Sequence, residues 1–350
     1  MMAVSALRAP SFKLRKSATA VISDDGSHLV QIAQRVVVWD VPARRVLAQI
    51  KVMRNEWHVA ISPDNSVIAV KGENGELVFC RSSTGDIISQ TPLSDRRDTG
   101  GCPQFSHDGR FLFDGSWNGM LRVWEVASAN KIAEVEFHGY MITSIVVARA
   151  AGTFFAALNK IGDGKGGSRI VRFATAGLDR VGEVEPLNAQ QCQRLGRRHI
   201  EGIAVDAHAN FLVLVLNGGT LEAPATIESL NLQSNTAASA ALPSPLHHVR
   251  GLACGDDGVC VAAVHESTPG LSFKDFAERR HSGEYSHLHF YSTASMTPLA
   301  RWFWRDAWML NFSHATGGLA VASRDEPGAY LADLSADELH VHARARPMAT

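Results

Sequence analysis

Cysteine is scarce in this 350-residue chain, and its five copies are scattered. No two of them form the CxxC pair that zinc ribbons and thioredoxin-type redox sites require, so neither class of site is expected. An odd number of scattered thiols is typical of a reduced protein, and we predict a cytoplasmic location. The five are Cys80, Cys102, Cys192, Cys254 and Cys260.

Excess charge and long apolar runs are lacking as well. The 34 basic and 35 acidic residues give a formal net charge of -1, which provides no general attraction for nucleic acid or anionic lipid. Apolar runs such as residues 211–216 are far shorter than a membrane span. Residues 3–7 are too few for the core of a signal peptide. We therefore expect neither a nucleic-acid nor a membrane partner.

Short catalytic motifs are also absent. The chain has no Gly-x-Ser-x-Gly elbow and no paired-carboxylate signature, and the glycine-rich residues 162–168 lack the spacing of a phosphate loop. His281, His287 and His289, with Glu284 nearby, have a spacing that zinc can use, but a complete ligand set is missing. The prediction is a protein without cofactor or metal. Propeller enzymes whose active groups converge from several blades leave no short motif, so catalysis stays open.

What the chain does have is a repeated turn. Ile-Ser-Asp-Asp-Gly at residues 22–26 returns as Ile-Ser-Pro-Asp-Asn at 61–65 and Phe-Ser-His-Asp-Gly at 105–109. The small residue supplies the positive φ of a tight hairpin. Each turn lies between two short strands with alternating apolar residues, and two further strands follow. The turn positions are Gly26, Asn65, Gly109, Gly152, Asn210, Gly258 and Gly317.

The turn returns about every 40 residues or more. Repeats of that length predict an all-β fold, a single β-propeller over residues 1–350 with seven four-stranded blades. Radial closure protects the strand edges. Either residues 11–15 or residues 339–342 can supply the last outer strand, and rings of six or eight blades remain alternatives. The predicted blades cover residues 17–52, 56–93, 100–139, 141–188, 198–245, 247–304 and 306–342.

The third strands carry a family resemblance. Val-Val-Trp-Asp-Val at residues 37–41 and Arg-Val-Trp-Glu-Val at 122–126 resemble the Trp-Asp signature of WD40 repeats, most clearly in the first three units. The family's Gly-His pair is missing; only the reversed His138-Gly139 is present. The resemblance therefore implies a divergent WD40-like propeller, for which the family's buried hydrogen-bond tetrad is not assumed. Trp39 and Trp124 would be core residues.

Long insertions are predicted on one face only. The loops between second and third strands and the inter-blade connections emerge on that face, and the long segments 159–169, 217–226, 265–286 and 188–201 are all of these kinds. A rigid scaffold commonly presents its binding surface on such loops. Tryptophan and arginine dominate binding hot spots. The predicted partner-binding residues are Trp57, Trp117, Arg197, Arg198, Phe276, Arg279, Arg280 and Trp308. For each tryptophan, packing between blades is the alternative.

These features predict a non-catalytic scaffold or adaptor that engages a protein partner. A toxin-neutralising, immunity-type or complex-assembly protein is one specific version. The alternative is a hydrolase-like or lactonase-like propeller enzyme, or a small-ligand binder, with its site at the central channel mouth. Polar residues near the first-strand starts could converge there: Glu56, His58, His199, Glu201, His247, Arg250, Arg305 and Asp306.

Overall fold

The computed structural model describes most of the strand regions of the chain. It describes residues 19–32, 35–43, 45–51, 56–72, 75–91, 100, 103–161, 167–175, 199–216, 225–242, 247–256, 258–266, 286–303, 307–312, 318–323 and 329–333. These residues fold into antiparallel sheets, numbered here in chain order. Among them, no helix has the length and hydrophobicity to cross a bilayer.

The first three sheets have four strands each. Their strands are β1 (Thr19–Ile22), β2 (His28–Ile32), β3 (Val36–Asp40), β4 (Arg45–Ile50), β5 (Glu56–Ile61), β6 (Val67–Gly72), β7 (Leu77–Arg81), β8 (Ile87–Gln90), β9 (Gln104–Phe105), β10 (Phe111–Gly115), β11 (Met120–Glu125) and β12 (Asn130–Glu136). Sheet 4 has β13 (Tyr140–Ala148), β14 (Thr153–Lys160) and β15 (Arg169–Ala174).

The remaining sheets follow the same plan. Their strands are β16 (Ile200–Val205), β17 (Phe211–Leu216), β18 (Thr226–Asn231), β19 (Thr236–Ala241), β20 (His247–Cys254), β21 (Val259–Glu266), β22 (Ser286–Ser292), β23 (Pro298–Phe303), β24 (Ala307–Phe312), β25 (Gly318–Ser323) and β26 (Ala329–Asp333). Sheets 5 and 6 have four strands, and sheet 7 has three.

The first strands close a ring. β1 contacts β5, and the contacts continue through β9, β13, β16, β20 and β24 back to β1. Consecutive strands pair within each sheet, so the first strand of each lies innermost. The predicted all-β propeller is confirmed. The predicted four strands in every blade are found in five of the seven described sheets; in sheets 4 and 7 the described residues supply three. Both segments proposed for the last outer strand, 11–15 and 339–342, lie outside the described residues.

Apolar side chains fill the space between neighbouring sheets. Between sheets 3 and 4, Phe154 stacks on Phe113 at 3.9 Å and on Phe173 at 4.8 Å between ring centroids, and all three rings are buried. Similar clusters join sheets 1 to 2, 2 to 3, 4 to 5 and 5 to 6. Full burial of each large apolar side chain contributes about 1.5–3 kcal/mol, so packing against neighbouring sheets is a main source of stability for sheets 1 to 6.

The third-strand tryptophans differ in burial. Trp39 is 6% exposed and packs in the core of sheet 1. Trp124, also predicted to be a core residue, is only partly buried, at the edge of the cluster between sheets 2 and 3. Neither indole Nε1 has a hydrogen-bond partner within the described part of the chain. A hydrogen-bonded tetrad around these tryptophans is therefore not formed there.

The hairpins within the sheets lie on two faces of the ring. We call the face where first strands begin and second strands end the loop face, and the opposite one the turn face. Where the structure describes them, connections on the turn face are short. Long segments separate strand ends on the loop face between β14 and β15, between β17 and β18, and between β21 and β22, as predicted. The fourth segment predicted on this face, 188–201, lies mostly outside the described residues, and the strand before it, β15, ends at the turn face.

Candidate functional site

The eight predicted partner-binding residues are described to different extents. Trp117 lies in the loop-face hairpin between β10 and β11, as predicted, and its side chain is 44% exposed. Trp57 lies in β5 and Trp308 in β24, both near the loop-face end of a first strand. The other five fall outside the described residues: Arg197, Arg198, Phe276, Arg279 and Arg280.

The Trp117 indole rests on the backbone of Gly100. Gly100 is buried and has a φ of 83°, and a Cβ placed there would lie 2.0 Å from Trp117 Nε1. Only glycine allows an indole to approach this closely at such a φ. One side of the ring is thus supported by backbone while the residue as a whole remains strongly exposed. Trp117 is therefore a surface aromatic that is supported on one side by the backbone of Gly100.

A buried lysine holds the two backbone segments beneath Trp117. Lys71, at the loop-face end of β6, donates hydrogen bonds to Gly100 O at 2.7 Å and Gly115 O at 2.6 Å. Its third bond goes to Asp114 Oδ1 at 2.5 Å. Lys71 and Asp114 are 0% and 1% exposed. The three ammonium protons have three acceptors, which is the condition for burying such a charge.

His58 lies opposite Lys71 in the pairing of β5 with β6. Burial lowers the pKa of His58 to about 4, and the positive charge of Lys71 adds to the effect. The imidazole is therefore neutral at physiological pH. Sequence reasoning placed His58 among the polar residues near the channel mouth, but it missed Lys71 and Asp114. One feature of the sequence could have identified them: each is a charged residue near the end of a second strand, β6 or β10, that is otherwise largely apolar.

Five of the seven first strands carry a bulge near the loop face. In each, one residue has no partner opposite it in the second strand. The extra residues are Trp57, Thr143, Glu201, Arg250 and Trp308. Bulges redirect side chains and are frequent beside functional sites. The register thus places four residues singled out from the sequence, all but Thr143, at one structural position around the channel mouth.

Polar side chains connect these bulges from sheet 4 to sheet 6. Asn159 Nδ2 donates to Ile200 O at 2.8 Å and to Thr143 Oγ1 at 3.2 Å, while Asn159 Oδ1 accepts from Ile200 N at 2.9 Å. Glu201 Oε2 accepts from Val249 N at 3.4 Å. Burial raises the pKa of the Glu201 carboxyl, although the Val249 amide opposes the rise. This belt joins the bulged first strands of sheets 4, 5 and 6 at the channel mouth.

The turn face is built from local hydrogen bonds. Ser23 Oγ donates to Asp25 Oδ1 at 2.6 Å and accepts from His28 N at 2.9 Å. The turns at residues 62–67 and 106–111 repeat this arrangement. Burial disfavours ionised Asp25, but hydrogen bonds from Ser23 and Ser27 outweigh it and lower its pKa. The repeated Ser-x-Asp signature is thus explained by turn structure alone.

Arg149 spans the turn face. It follows β13 in sheet 4 and forms an ion pair with Asp24, which follows β1 in sheet 1. Burial lowers the pKa of Arg149 to about 10, while the nearby Asp256 of sheet 6 opposes the change. Because sheets 1, 4 and 6 are not neighbours, this contact lies across the ring, beside the central channel. It lies at the face opposite Trp117.

Metal and nucleophile chemistry has little support in the described residues. They contain no group of three or more His, Cys, Asp or Glu that could hold a metal ion. His287 and His289 lie 6.2 Å apart between ring centroids, while His281 and Glu284 lie outside the described chain. Cys80, Cys254 and Cys260 are free and buried. Burial raises the pKa of Cys80 to about 11 and of Cys260 to about 12, so both thiols are unreactive.

Comparison with known proteins identifies the fold and no more. No protein-family model matches the sequence, and no curated protein matches it. A solved chain titled Kuenenia stuttgartiensis Hydrazine Synthase is similar in structure, with a TM-score of 0.70 and 11% sequence identity. The match covers 93% of this chain and 97% of that chain. In all, 1838 solved chains match, which is the breadth expected of a fold shared by many functions.

Proposed function

We propose that this protein is a non-catalytic scaffold or adaptor that binds a protein partner through its loop face. The observation that carries the proposal is Trp117, a tryptophan 44% exposed on a backbone platform that the buried Lys71 holds in place. A pre-positioned aromatic side chain loses little conformational entropy on binding, which is why such residues form hot spots. The same face carries the strand ends that the long segments join.

The finer features of the proposal rest on the sequence. We propose a WD40-like ring of seven four-stranded blades, in which residues outside the described chain complete sheets 4 and 7. The other predicted contacts on the loop face are Trp57, Arg197, Arg198, Phe276, Arg279, Arg280 and Trp308. Neither nucleic acid nor membrane is a proposed partner, because the net charge of -1 favours neither. Buried free thiols support a cytoplasmic location. A toxin-neutralising or complex-assembly role belongs to the same proposal.

The test is capture of a partner from a native lysate of the source organism, with the full chain as bait. The proposal expects one stoichiometric protein that Trp117→Ala loses. The matched control is Ile132→Ala, since Ile132 is 50% exposed on β12, in the same sheet but on its outer strand. Loss of the protein from both variants, or from neither, would contradict the proposed role of Trp117. Equal melting temperatures for bait and variants exclude unfolding as the cause.

The second candidate is an enzyme or small-ligand binder at the channel mouth. It is favoured by Glu201, whose pKa is raised by burial beside a bulge, because perturbed carboxyl groups concentrate at functional sites. Hydrazine synthase is an enzyme by its name, but a likeness at 11% identity favours neither candidate. Thermal-shift screening against a metabolite set, with Glu201→Gln as the comparison, tests it. A ligand that stabilises the native chain and not the variant would favour this candidate.

A further inference from the structure

We propose that the rim of sheets 3 and 4 on the loop face binds an acidic segment of the protein partner, with an apolar side chain of that segment seated beside Trp117. The surface, here called the rim patch, comprises Trp117, His138, Lys160, Ile161 and Arg169. This inference rests on the proposed function and specifies the chemistry of the partner.

The rim patch is continuous because three backbone segments lie against one another. A Cβ on Gly119 would lie 2.5 Å from Phe137 O and 2.7 Å from Tyr140 O, so the Trp117 hairpin lies directly on the connection between sheets 3 and 4. That connection is joined to the next hairpin by the hydrogen bond from Ile161 N to Gly139 O at 2.9 Å. Trp117 and Ile161 therefore belong to one surface.

The apolar part of the rim patch is unusual for the described chain. Among the described residues, five large hydrophobic side chains are strongly exposed. Two of them belong to the rim patch: Trp117 at 44% and Ile161 at 48%. The other three, Ile87, Ile88 and Ile132, lie on the outer strands β8 and β12. An exposed aromatic and an exposed aliphatic residue on adjacent hairpins form a surface suited to a partner's apolar side chain.

The charge of the rim patch is positive. The Lys160 ammonium lies 4.6 Å from the centroid of the Tyr140 ring, and the Arg169 guanidinium lies 5.1 Å from it. Cation–π contact holds both groups without neutralising them. No carboxylate of the described residues forms an ion pair with either one. The nearby Glu136 is turned to His138, with 2.8 Å between Oε1 and Nδ1. Carboxylates of a partner are therefore the complementary charge.

The apolar part of the rim patch also favours an acidic protein segment over a nucleic acid as the anionic partner. A phosphate backbone is bound by several basic side chains along a groove, whereas this patch combines two fixed cations with tryptophan and isoleucine. The overall net charge of -1 adds no attraction at a distance. An extended acidic segment with one large apolar residue satisfies both parts of the surface. A test of nucleic-acid binding therefore distinguishes an acidic protein segment from a nucleic acid as the partner.

The experiment is selection from a random-peptide display library against the full native chain. The expected result is enrichment of peptides that combine Asp or Glu with a large apolar residue. The double variant Lys160→Glu with Arg169→Glu should weaken the selected peptides by about tenfold or more. The matched control is Arg81→Glu with Arg110→Glu, which changes net charge equally. Both control arginines are exposed near the turn face, and Arg110 also has a cation–π contact, 5.3 Å from the Phe111 centroid.

Three results would overturn the inference: no peptide enriched, enriched peptides without an acidic excess, or equal binding by both double variants. Binding of a labelled single-stranded oligonucleotide that only the Lys160/Arg169 variant loses would overturn it as well. If the variant fails to fold, Lys160→Gln with Arg169→Gln replaces it, and the same loss is expected. A separate result distinguishes failure of this inference from failure of the proposed function. A lysate partner lost by Trp117→Ala and retained by the Lys160/Arg169 variant supports the scaffold while rejecting the acidic segment.

Discussion

Lys71 Nζ lies 2.5 Å from Asp114 Oδ1, and both side chains are almost completely buried between sheets 2 and 3. Such a pair is expensive to desolvate, and well-packed apolar residues often stabilise a fold as much or more. What an apolar residue cannot do is accept or donate hydrogen bonds. Lys71 fixes the carbonyl groups of Gly100 and Gly115, which belong to the two backbone segments beneath the Trp117 indole. We infer that the pair provides position more than stability.

Replacing one member of this pair tests that inference. Lys71→Met leaves the Asp114 carboxylate buried without its counter-charge, so the free energy of unfolding should fall by about 3–5 kcal/mol in a denaturant titration. Adding Asp114→Leu should recover much of the loss, while partner capture through Trp117 stays weak because Gly100 and Gly115 remain unheld. Full recovery of capture in the double variant would show that the pair has no positioning role.

The sequence predicts the ring better than it predicts the site. Turn residues and alternating apolar segments are local signals, and they located nearly every strand. β19 was unclear because its sequence, Thr-Ala-Ala-Ser-Ala-Ala, has small residues and little apolar alternation. Lys71 contacts Asp114 across 43 residues, and Asn159 contacts Ile200 across 41, so neither pairing leaves a local pattern. Bulge positions depend on register, and only the glycines after Glu201 and Arg250 hint at them.

Gly100→Ala should disturb the surface through Trp117. The new methyl group would overlap the indole, and the positive φ adds strain of about 1 kcal/mol or more. We expect red-shifted or broadened Trp117 fluorescence, obtained by subtracting the spectrum of the matched protein that carries Trp117→Phe, together with weaker capture of the partner. Gly152→Ala is the control, because its φ of 59° brings the same strain while the nearest atom to a Cβ is 3.7 Å away. Equal effects of the two substitutions would argue against the platform.

Asn159→Asp should destabilise the protein in a pH-dependent way. The amide nitrogen that donates to Ile200 O would become an oxygen, and an ionised carboxylate there would repel that carbonyl. The folded state then favours the protonated acid, so the introduced group's pKa is raised on folding. Stability is fully present below the unfolded value of about 3.9 and is lost as pH rises through the folded pKa. Asn159→Ala, which cannot ionise, should show a deficit of about 1–3 kcal/mol at every pH.

His58 should make the protein less stable in mild acid. Its pKa is about 4 in the folded state and about 6.5 when unfolded, so the unfolded chain binds the proton first as pH falls. The loss begins near pH 6.5, is complete near pH 4, and amounts to at most about 3 kcal/mol. Glu201, whose pKa is raised, acts in the opposite direction, and comparison with His58→Gln removes its contribution. Identical stability profiles for the native chain and His58→Gln between these pH values would contradict the lowered pKa of His58 in the folded protein.

Two substitutions of Trp39 distinguish the contribution of packing to stability from that of a hydrogen bond in the third strand. Its indole is 6% exposed, and its Nε1 has no hydrogen-bond partner within the described chain. Trp39→Ala removes a buried aromatic ring and should cost about 3–5 kcal/mol of unfolding free energy. Trp39→Phe retains most of the apolar contact and loses no hydrogen bond, so its cost should be far smaller. Trp124→Ala should cost less than Trp39→Ala, because Trp124 is only partly buried. If Trp39→Phe proved as damaging as Trp39→Ala in chemical denaturation, the indole nitrogen would have to make a bond, and the WD40-like tetrad would return as the explanation.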